Sequence, residues 1–357
     1  MTHNFTNMQT PITILGIESS CDDTAASVLK DGIVLSNIIS SQKIHEKFGG
    51  VLPEAASRAH TVSIVPVVEL AIKEAGISTK DISAIAFTQG PGLLGSLLVG
   101  SSFAKAIGLA LNIPIIGIHH MQAHILSHFI RNKPGEMEGQ GRSPEFPFLC
   151  LTVSGGHTQI VLVKDYFEME ILGETQDDAA GEAFDKVAKI LGMPYPGGPL
   201  VDKYAQKGDS SKFTFPTPFA EGFGFSFSGL KTAVMYKVRD GVREDPDFIV
   251  KNQFDICASV QKTIVELLLK KLFSAAEKYK IMDIAIAGGV SANSSLRKNL
   301  EAGCSERGLN SFIPPFAYCT DNAAMIAISG YYRFLKGEFS SQEISSKARL
   351  DFITPLI

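Results

Sequence analysis

The sequence lacks the features that mark membrane, secreted or disulfide-bonded proteins. No apolar run reaches the roughly 20 residues that a helix needs to cross a bilayer, and residues 1–11 hold neither an apolar signal region nor an Arg-rich amphipathic helix. The five cysteines are scattered without a CxxC pair, which argues against a disulfide framework and against a zinc knuckle. We therefore expect a reduced, cytoplasmic protein that makes no use of a membrane.

An excess of positive charge is also missing. The chain carries 33 Lys and Arg against 37 Asp and Glu, a formal net charge of -4. Proteins that bind nucleic acid usually present a basic field to the phosphate backbone. If the substrate is RNA, we expect a local patch or a partner protein to supply the positive charge.

The length and the order of the predicted elements indicate a duplication. At 357 residues the chain is long for one domain. Residues 12–35 and 148–163 each read as strands around a turn, and alternating strands and helices follow each of them. We predict an α/β fold of two lobes with a ligand cleft between them. The N-terminal lobe is expected over residues 1–130, with the C-terminal helix packed back on it, a surface loop over 131–145, and the C-terminal lobe over 145–330.

Histidines cluster directly after a predicted strand, where four of the eight in the chain lie within ten residues. His120, His124 and His128 recur every four residues, so we expect them on one face of a helix. Two imidazoles one turn apart, together with a carboxylate, form a site suited to iron or zinc. We predict that His120 and His124 bind a metal ion, and we expect His128 to be structural. Asp321, directly before an apolar helix, is either the third ligand or the N-cap of that helix.

Three glycine turns predict a nucleotide cleft. They are the residues at 152–156, 196–199 and 287–293. The last of them joins a strand to a helix, whose first N–H groups suit an anion. Each turn alone is more often a simple reversal of the chain, but three of them in one chain favour phosphate or ribose contacts.

Three carboxylates complete the candidate site. Asp22 in the first turn could bind a metal-linked water or steer a charged substrate. Asp185 and Asp202 flank the glycine turn at 196–199 and could accept hydrogen bonds from ribose hydroxyls. Solvation at the surface is the competing explanation for each.

Two other classes of protein remain alternatives to a group-transfer enzyme. A zinc protease would need a Glu beside the first histidine of its HExxH helix, but Met121 stands there. An ATP-hydrolysing scaffold or sugar kinase of the same fold would bind magnesium through oxygen ligands and would not use two imidazoles. We find no Ser-His-Asp or Cys-His arrangement that would supply a protein nucleophile.

Seven motifs occur in order between about residues 12 and 330. They are the segments 16–24, 119–124, 153–158, 178–186, 225–232, 288–293 and 321–324. Together they closely resemble the TsaD (Gcp/YgjD) family, once described as O-sialoglycoprotein endopeptidases. The resemblance implies a duplicated actin/hsp70-like ATPase (ASKHA) fold. It also implies transfer of a threonylcarbamoyl group from threonylcarbamoyl-AMP to N6 of the adenosine that follows the anticodon in tRNAs reading ANN codons, with release of AMP.

By position, the resemblance implies a ligand set and partners. One divalent metal ion per subunit, iron(II) in the first place with zinc or magnesium as alternatives, is expected on His120, His124 and Asp321. Most adenylate contacts are expected from the C-terminal lobe, at Thr152, Val153, Ser154, Gly155, Gly156, Asp185, Gly198, Asp202 and Asn293. Asp22 falls on an acidic turn that is functional in the family and is our candidate catalytic residue. The expected partners are tRNA, a TsaB-like protein of related fold and a TsaE-like ATPase.

The sequence departs from the family pattern in three places. Asp23 stands where the family has Glu, Gln122 stands where Glu is frequent, and the loop over 131–145 is longer than usual. None of these differences removes a proposed ligand.

Overall fold

The first of two five-stranded sheets is built by the N-terminal part of the chain. The computed structural model describes residues 11–132, 142–217 and 219–352. The strands are β1 (Thr13–Glu18), β2 (Asp23–Lys30), β3 (Ile33–Ser41), β4 (Ala84–Gly90) and β5 (Ile115–His119), in the order β3-β2-β1-β4-β5. β1 is antiparallel to β2 and parallel to β4, and β5 is parallel to β4. The carboxyl ends of β1, β4 and β5 therefore lie at one edge of the sheet.

The second sheet repeats this arrangement. Its strands are β6 (Phe148–Val153), β7 (Thr158–Val163), β8 (Met169–Glu174), β9 (Asp283–Ala287) and β10 (Asn310–Phe312), in the order β8-β7-β6-β9-β10. Again the first strand is antiparallel to the second and parallel to the fourth. The duplicated α/β architecture predicted from the sequence is confirmed. The short β10 and the half-exposed β8 carry too weak an apolar pattern to be predicted.

Nine α-helices are described, and they account for most of the remaining chain. They are α1 (Pro53–Ala75), α2 (Leu94–Leu111), α3 (His120–Leu126), α4 (Ala180–Ile190), α5 (Gly198–Ala205), α6 (Ser228–Glu244), α7 (Phe248–Tyr279), α8 (Ser294–Arg307) and α9 (Ala323–Leu335). α1 begins eight residues before the apolar spacing from Thr61 indicates, because Pro53 suits the first helical position. α5 and α6 were not predicted, since turn residues dominate the sequence around their starts.

The C-terminal helix α9 packs closely across the first sheet. A Cβ atom added to Gly16 on β1 would lie 2.4 Å from the carbonyl oxygen of Ala323 on the helix. A Cβ atom added to Gly330 on the helix would lie 2.4 Å from the Cβ of Ala86 on β4. This close approach of the two backbones requires glycine at both positions. It also brings Asp321, just before α9, to the edge of the sheet where β1 and β5 end.

One hydrophobic cluster joins the two sheets. It contains Ile14 and Ala86 from the first sheet, Cys150 and Ala285 from the second, and Met325 from α9. Two further clusters lie on the outer sides, one between the first sheet and α1, the other between the second sheet and α4, α6 and α7. The predicted lobe limits, residues 1–130 and 145–330, remain a proposal. The central part of the predicted loop, residues 133–141, lies outside the described residues.

Two helices have the length and composition of membrane-crossing segments. α1 and α2 both meet that criterion, which the core helices of soluble proteins also meet. Both line the first sheet: α1 buries Ile64, Val67 and Val68, and α2 buries Leu97 and Ala104. Packing on the first sheet therefore accounts for part of their apolar character.

We predict that Gly16→Ala destabilises the fold, because the new methyl group would overlap the backbone of α9. Overpacking of this kind costs about 1–3 kcal/mol, measurable as a lower free energy of unfolding in urea. The matched control is Gly289→Ala, since a Cβ atom there would meet no atom within 4 Å. Equal stability of the two variants would contradict the close packing of α9 on β1.

Candidate metal centre and nucleotide cleft

The metal ligands predicted from the sequence meet at the edge where the parallel strands of the first sheet end. β5 ends at His119, and α3 begins at the next residue and carries His120 and His124. Asp321 arrives at the same edge with the start of α9. Residues about 200 positions apart in the sequence are thus brought together by the packing of α9 on the sheet.

The three side chains have the geometry of a metal site. His120 Nε2 lies 3.4 Å and His124 Nε2 3.2 Å from the same oxygen, Asp321 Oδ1. The candidate ligand atoms all lie within 4.8 Å of one another. The two imidazole rings meet edge to face, so that both can turn a nitrogen toward one point. Two imidazole nitrogens and one carboxylate are a donor set that fits iron or zinc.

Asp321 is available for this role because it does not cap α9. The cap is Asn322, whose Oδ1 accepts a hydrogen bond of 3.0 Å from the backbone N–H of Met325. Burial opposes ionisation of Asp321, but the charge and hydrogen bonds of His120 and His124 outweigh it and hold its pKa far below the ordinary value. The carboxylate is therefore charged and directed at both imidazoles.

His120 has a second carboxylate on its other side. Its Nδ1 lies 3.0 Å from Oε2 of Glu18, the last residue of β1. Burial alone would lower the pKa of His120, but Glu18 and Asp321 outweigh it and raise that pKa well above the ordinary value. The pKa of Glu18 is lowered, because the charge and hydrogen bond of His120 overcome the effect of burial. Glu18 was not assigned a role from the sequence, although a lone charge closing an apolar strand was a usable signal.

His119 is a structural residue that fixes the start of α3. Its Nδ1 accepts from the backbone N–H groups of Met121 and Gln122, and its Nε2 donates to the carbonyl of Leu350. Burial lowers the pKa of His119 to about 4, so that the ring is neutral. The side chain of Gln122 donates to the carbonyl of Phe352. Residues 347–352 thus connect α3, the helix that carries the candidate ligands, to β4 of the first sheet.

The prediction that three histidines share one helix face is wrong for the third of them. α3 ends at Leu126, and His128 lies in a short 3-10 turn that follows. His128 Nε2 donates to the carbonyl of Ile286 at 2.9 Å, and burial lowers its pKa to about 4. Its role is structural, and only His120 and His124 face Asp321.

Glycine turns of the second sheet lie at a corresponding edge. β6 and β9 are parallel neighbours in which Thr152 pairs with Ala287, so the turns that follow them emerge side by side. At Gly155, Gly156 and Gly289 an added Cβ atom would meet nothing within 4 Å, which leaves room for a ligand against the backbone.

The first five predicted adenylate contacts differ in accessibility. Thr152 and Val153 are fully buried, and the Thr152 hydroxyl donates to the carbonyl of Gln159. Ser154 is half-buried, and Gly155 and Gly156 are exposed. A ligand at this edge would therefore meet the turn rather than the side chains of the strand.

The other residues predicted to contact the adenylate form hydrogen bonds within one loop and at the starts of two helices. Asp185 Oδ1 accepts from the backbone N–H groups of Gly197 and Gly198, at 2.8 and 3.0 Å, and burial raises the pKa of Asp185. Asp202 on α5 accepts from the backbone and the hydroxyl of Ser294, at 3.1 and 2.6 Å.

Asn293 is the N-cap of α8, because its Oδ1 accepts a 2.9 Å hydrogen bond from the backbone N–H of Leu296. Its Nδ2 donates to Gln261. Since Ser294 is bound by Asp202, the structure brings Asn293 close to Asp202. Asp185 and Gly198 adjoin them through α5, so these four predicted residues form one group.

The candidate metal centre lies close to the second sheet, because α3 packs against β6 and β9. His157, at the end of the turn after β6, has its pKa lowered by burial and by the charges of His120 and His124. Burial and the charges of Asp22 and Asp185 raise the pKa of Tyr195. Neither His157 nor Tyr195 was assigned a role from the sequence.

The acidic turn after β1 is held in place by His60 of α1. His60 Nε2 donates to the carbonyl of Cys21 at 3.0 Å, and its Nδ1 accepts from the hydroxyl of Thr24 at 2.7 Å. Burial, followed by the charges of Asp321 and Asp22, raises the pKa of Asp23 to about 6. Burial and Asp22 also raise the pKa of the Cys21 thiol, which excludes it as a ready nucleophile. Sequence reasoning missed His60, since one polar residue on a helix face gives no signal of what it contacts.

Known proteins similar to this chain agree with one another. A family model described as "TsaD: tRNA N6-adenosine threonylcarbamoyltransferase" matches residues 33–328. A tRNA N6-adenosine threonylcarbamoyltransferase of Christiangramia forsetii is 58% identical, over 96% of this chain and 98% of that protein. One of the same name from Cytophaga hutchinsonii is 55% identical, over 95% of this chain and 96% of that protein.

A solved structure shares the fold. The crystal structure of full-length HypF in the phosphate- and nucleotide-bound form matches with a TM-score of 0.60 at 14% identity, over 92% of this chain and 47% of that one. At this identity the likeness shows the fold alone. The actin/hsp70-like (ASKHA) fold that the sequence resemblance implied is confirmed.

We predict that His124→Ala and Asp321→Asn each weaken Zn²⁺ binding by at least about 100-fold, because loss of a ligand costs more than the 10–100-fold typical of groups that only orient one. Competition with a chromophoric chelator measures the affinity. The control is His128→Gln, which keeps a donor for the Ile286 carbonyl and is expected to bind as the unaltered protein does. Unchanged affinity in the first two variants would place the metal elsewhere.

Proposed function

Because the chain belongs to the TsaD family of tRNA N6-adenosine threonylcarbamoyltransferases, we propose that it forms N6-threonylcarbamoyladenosine by way of threonylcarbamoyl-AMP. As a member, it is a transferase that modifies tRNA. In the proposed reaction the threonylcarbamoyl group passes to N6 of the adenosine that follows the anticodon in tRNAs reading ANN codons, and AMP is released. The observation that supports this proposal is the cluster of His120, His124 and Asp321, whose helix α3 packs beside β6, the strand that precedes the turn at 154–156.

The proposal includes one divalent metal ion per subunit, held by His120, His124 and Asp321. Iron(II) is our first choice and zinc the second, since imidazole nitrogen suits both. Magnesium is the third, because it prefers oxygen ligands. When bound, such an ion would supply Lewis-acid polarisation of a phosphate or carbonyl oxygen of the mixed anhydride.

Residues of the second sheet are proposed to bind the adenylate. The turn at Ser154, Gly155 and Gly156 has open space beside its two glycines. Within the turn the N–H of Ser154 donates to the carbonyl of His157 and that of Gly156 to Ser154 Oγ, so the N–H of Gly155 is the one proposed to stabilise negative charge that develops on a phosphate. The backbone at Thr152 and Val153 supports that turn from the strand. Asp185, Gly198, Asp202 and Asn293 are proposed for the nucleoside, near the starts of α5 and α8.

The acidic turn after β1 is proposed to take up the proton that the adenosine amine loses. Asp22 remains our candidate for this step. AMP is a good leaving group, so a protein nucleophile is unnecessary, and the raised pKa of Cys21 agrees with this. Asp23, whose pKa is about 6, adds a negative charge beside Asp22 at neutral pH and so favours proton uptake by the turn.

The proposed partners follow from the same family membership. Besides tRNA, they are a TsaB-like protein and a TsaE-like ATPase, and we place the reaction in the cytoplasm. Two features support a need for partners. The net charge of -4 disfavours unassisted tRNA binding, and α1 and α2 expose apolar side chains, among them Val62 and Leu109, which are 77% and 74% exposed.

A metalloprotease is a weaker account of the same metal centre. Gln122, which lies between His120 and His124 in the sequence, donates to the carbonyl of Phe352. The carboxylate of Glu18 contacts His120 on Nδ1, the nitrogen that faces away from Asp321. Neither side chain is placed to activate a water molecule on the ion, as the Glu of a zinc protease does.

We predict that the metal-loaded protein forms threonylcarbamoyladenosine from threonylcarbamoyl-AMP and unmodified tRNA, in the presence of its TsaB-like and TsaE-like partners. Mass spectrometry of the digested tRNA nucleosides measures the product. The His120→Ala/His124→Ala variant is expected to form none, whereas His128→Gln keeps the activity. Intact adenylate and unmodified tRNA under every combination of partners would refute the proposed reaction.

A pH profile tests the acidic turn. Below about pH 6 Asp23 takes up a proton and the turn loses a negative charge, so kcat should fall as the pH decreases through that value. Asp23→Asn should flatten the profile between about pH 5 and 7, while Asp22→Asn should lower kcat by about 10²–10⁴-fold at every pH. An Asp22→Asn variant with unchanged kcat would remove Asp22 from the mechanism.

A further inference from the structure

Glu18 is a buried carboxylate whose hydrogen bonds fix it in one position. It is the last residue of β1 and has no exposed surface. Oε1 accepts from the backbone N–H of Ser20 at 2.5 Å, and Oε2 accepts from the hydroxyl of Thr88 at 2.6 Å. The remaining contact of Oε2 is with His120 Nδ1, at 3.0 Å.

Such a group is costly unless it has partners. An isolated carboxylate loses several kcal/mol of hydration on burial, which only good hydrogen bonds and an opposite charge offset. Ser20 and Thr88 supply neutral donors from the adjoining turn and from β4. His120 is the one cationic partner in contact with Glu18 among the described residues. The contact with His120 is therefore part of what keeps this carboxylate in the interior.

The contact also decides which nitrogen of His120 carries a proton. A carboxylate only accepts hydrogen bonds, so Nδ1 is the donor. Nε2 faces a second carboxylate, Asp321 Oδ1, so it also donates while no ion is bound. If an ion replaced the proton on Nε2, the contact with Glu18 would keep the other proton on Nδ1 and leave the lone pair on Nε2. Ser20 Oγ, at 3.3 Å from Nδ1, is a longer and weaker partner.

His124 differs from His120 in the surroundings of its Nδ1 atom. Its Nδ1 is buried and has no hydrogen-bond partner among the described residues. Its Nε2 faces Asp321 as that of His120 does. Of the two candidate histidine ligands, His120 alone has a described carboxylate at the ring nitrogen that points away from Asp321.

We propose that Glu18 is a positioning residue that holds His120 with Nδ1 protonated and Nε2 directed at the metal ion. The inference rests on the metal centre of the proposed function and assigns Glu18 no contact with substrate. Hydrogen bonds of this type, from a ligating histidine to a carboxylate, fix the ring and typically change metal affinity 10–100-fold.

Glu18→Gln is the discriminating variant, because it keeps the shape of the side chain. Its amide can donate to Nδ1, which favours the ring with the proton on Nε2, and that ring has no lone pair for the ion. We expect Zn²⁺ to bind 10–100-fold more weakly than to the unaltered full-length protein in chelator competition. The matched control is Asp283→Asn, also a change from carboxylate to amide at a buried position. Asp283 accepts from Glu145 and Asn310, lies 3.6 Å from Arg142 and contacts no histidine among the described residues. The control should bind Zn²⁺ with unchanged affinity.

Long-range ¹H–¹⁵N spectra of the histidine rings give a readout independent of affinity. In the Zn²⁺-loaded unaltered protein we expect a proton on His120 Nδ1, and in metal-free Glu18→Gln a proton on Nε2. The first spectrum shows which nitrogen keeps its proton even if the variant does not fold. A proton on Nε2 in the loaded protein, or equal affinities for Glu18→Gln and Asp283→Asn, would overturn the proposal. Failure of the unaltered protein to bind Zn²⁺ would overturn the metal centre and this inference together. If the unaltered protein bound Zn²⁺ but showed no transferase activity, that result would count against the proposed reaction alone.

Discussion

The approach of Asp321 Oδ1 to the Nε2 atoms of His120 and His124 is the contact on which the site depends. It is made possible by the packing of α9 on the first sheet, where Gly16 allows the helix backbone to approach β1. Asn322 caps the helix and leaves Asp321 free to face the imidazoles. A shift of α9 by a fraction of a helical turn would separate the carboxylate from both rings.

The duplicated fold explains why the candidate metal centre lies near the proposed nucleotide site. Each sheet has parallel strands in its middle, and ligands of open α/β sheets bind beyond the carboxyl ends of such strands. One sheet contributes the imidazoles and the acidic turn, and the other contributes glycine turns with open space beside them. The cluster shared by both sheets keeps these edges opposed. Burial raises the pKa of Asp23, whereas the charges and hydrogen bonds of His120 and His124 hold the pKa of Asp321 low in spite of burial.

Sequence patterns revealed the parts of this arrangement that are local. Apolar runs located most strands, and the spacing of His120 and His124 predicted a shared face, because four residues make about one helical turn. The place of Asp321 before an apolar helix left two roles open, and only the neighbouring cap decided between them. Glu18 and His60 contact partners that are distant in sequence. The lone charge at the end of an apolar strand could have singled out Glu18, but it could not have identified His120 as its partner. His128 was misplaced because the helix ends two residues before it.

The central claim is that one ion is bound by the two Nε2 atoms and the Asp321 carboxylate. Anomalous diffraction from crystals grown with iron(II) or Zn²⁺, with data on both sides of the metal absorption edge, tests it most directly. The account predicts a single strong peak within about 2.0–2.2 Å of His120 Nε2, His124 Nε2 and an Asp321 oxygen. A peak on other residues, or none between these three in a protein that binds the metal in solution, would contradict it.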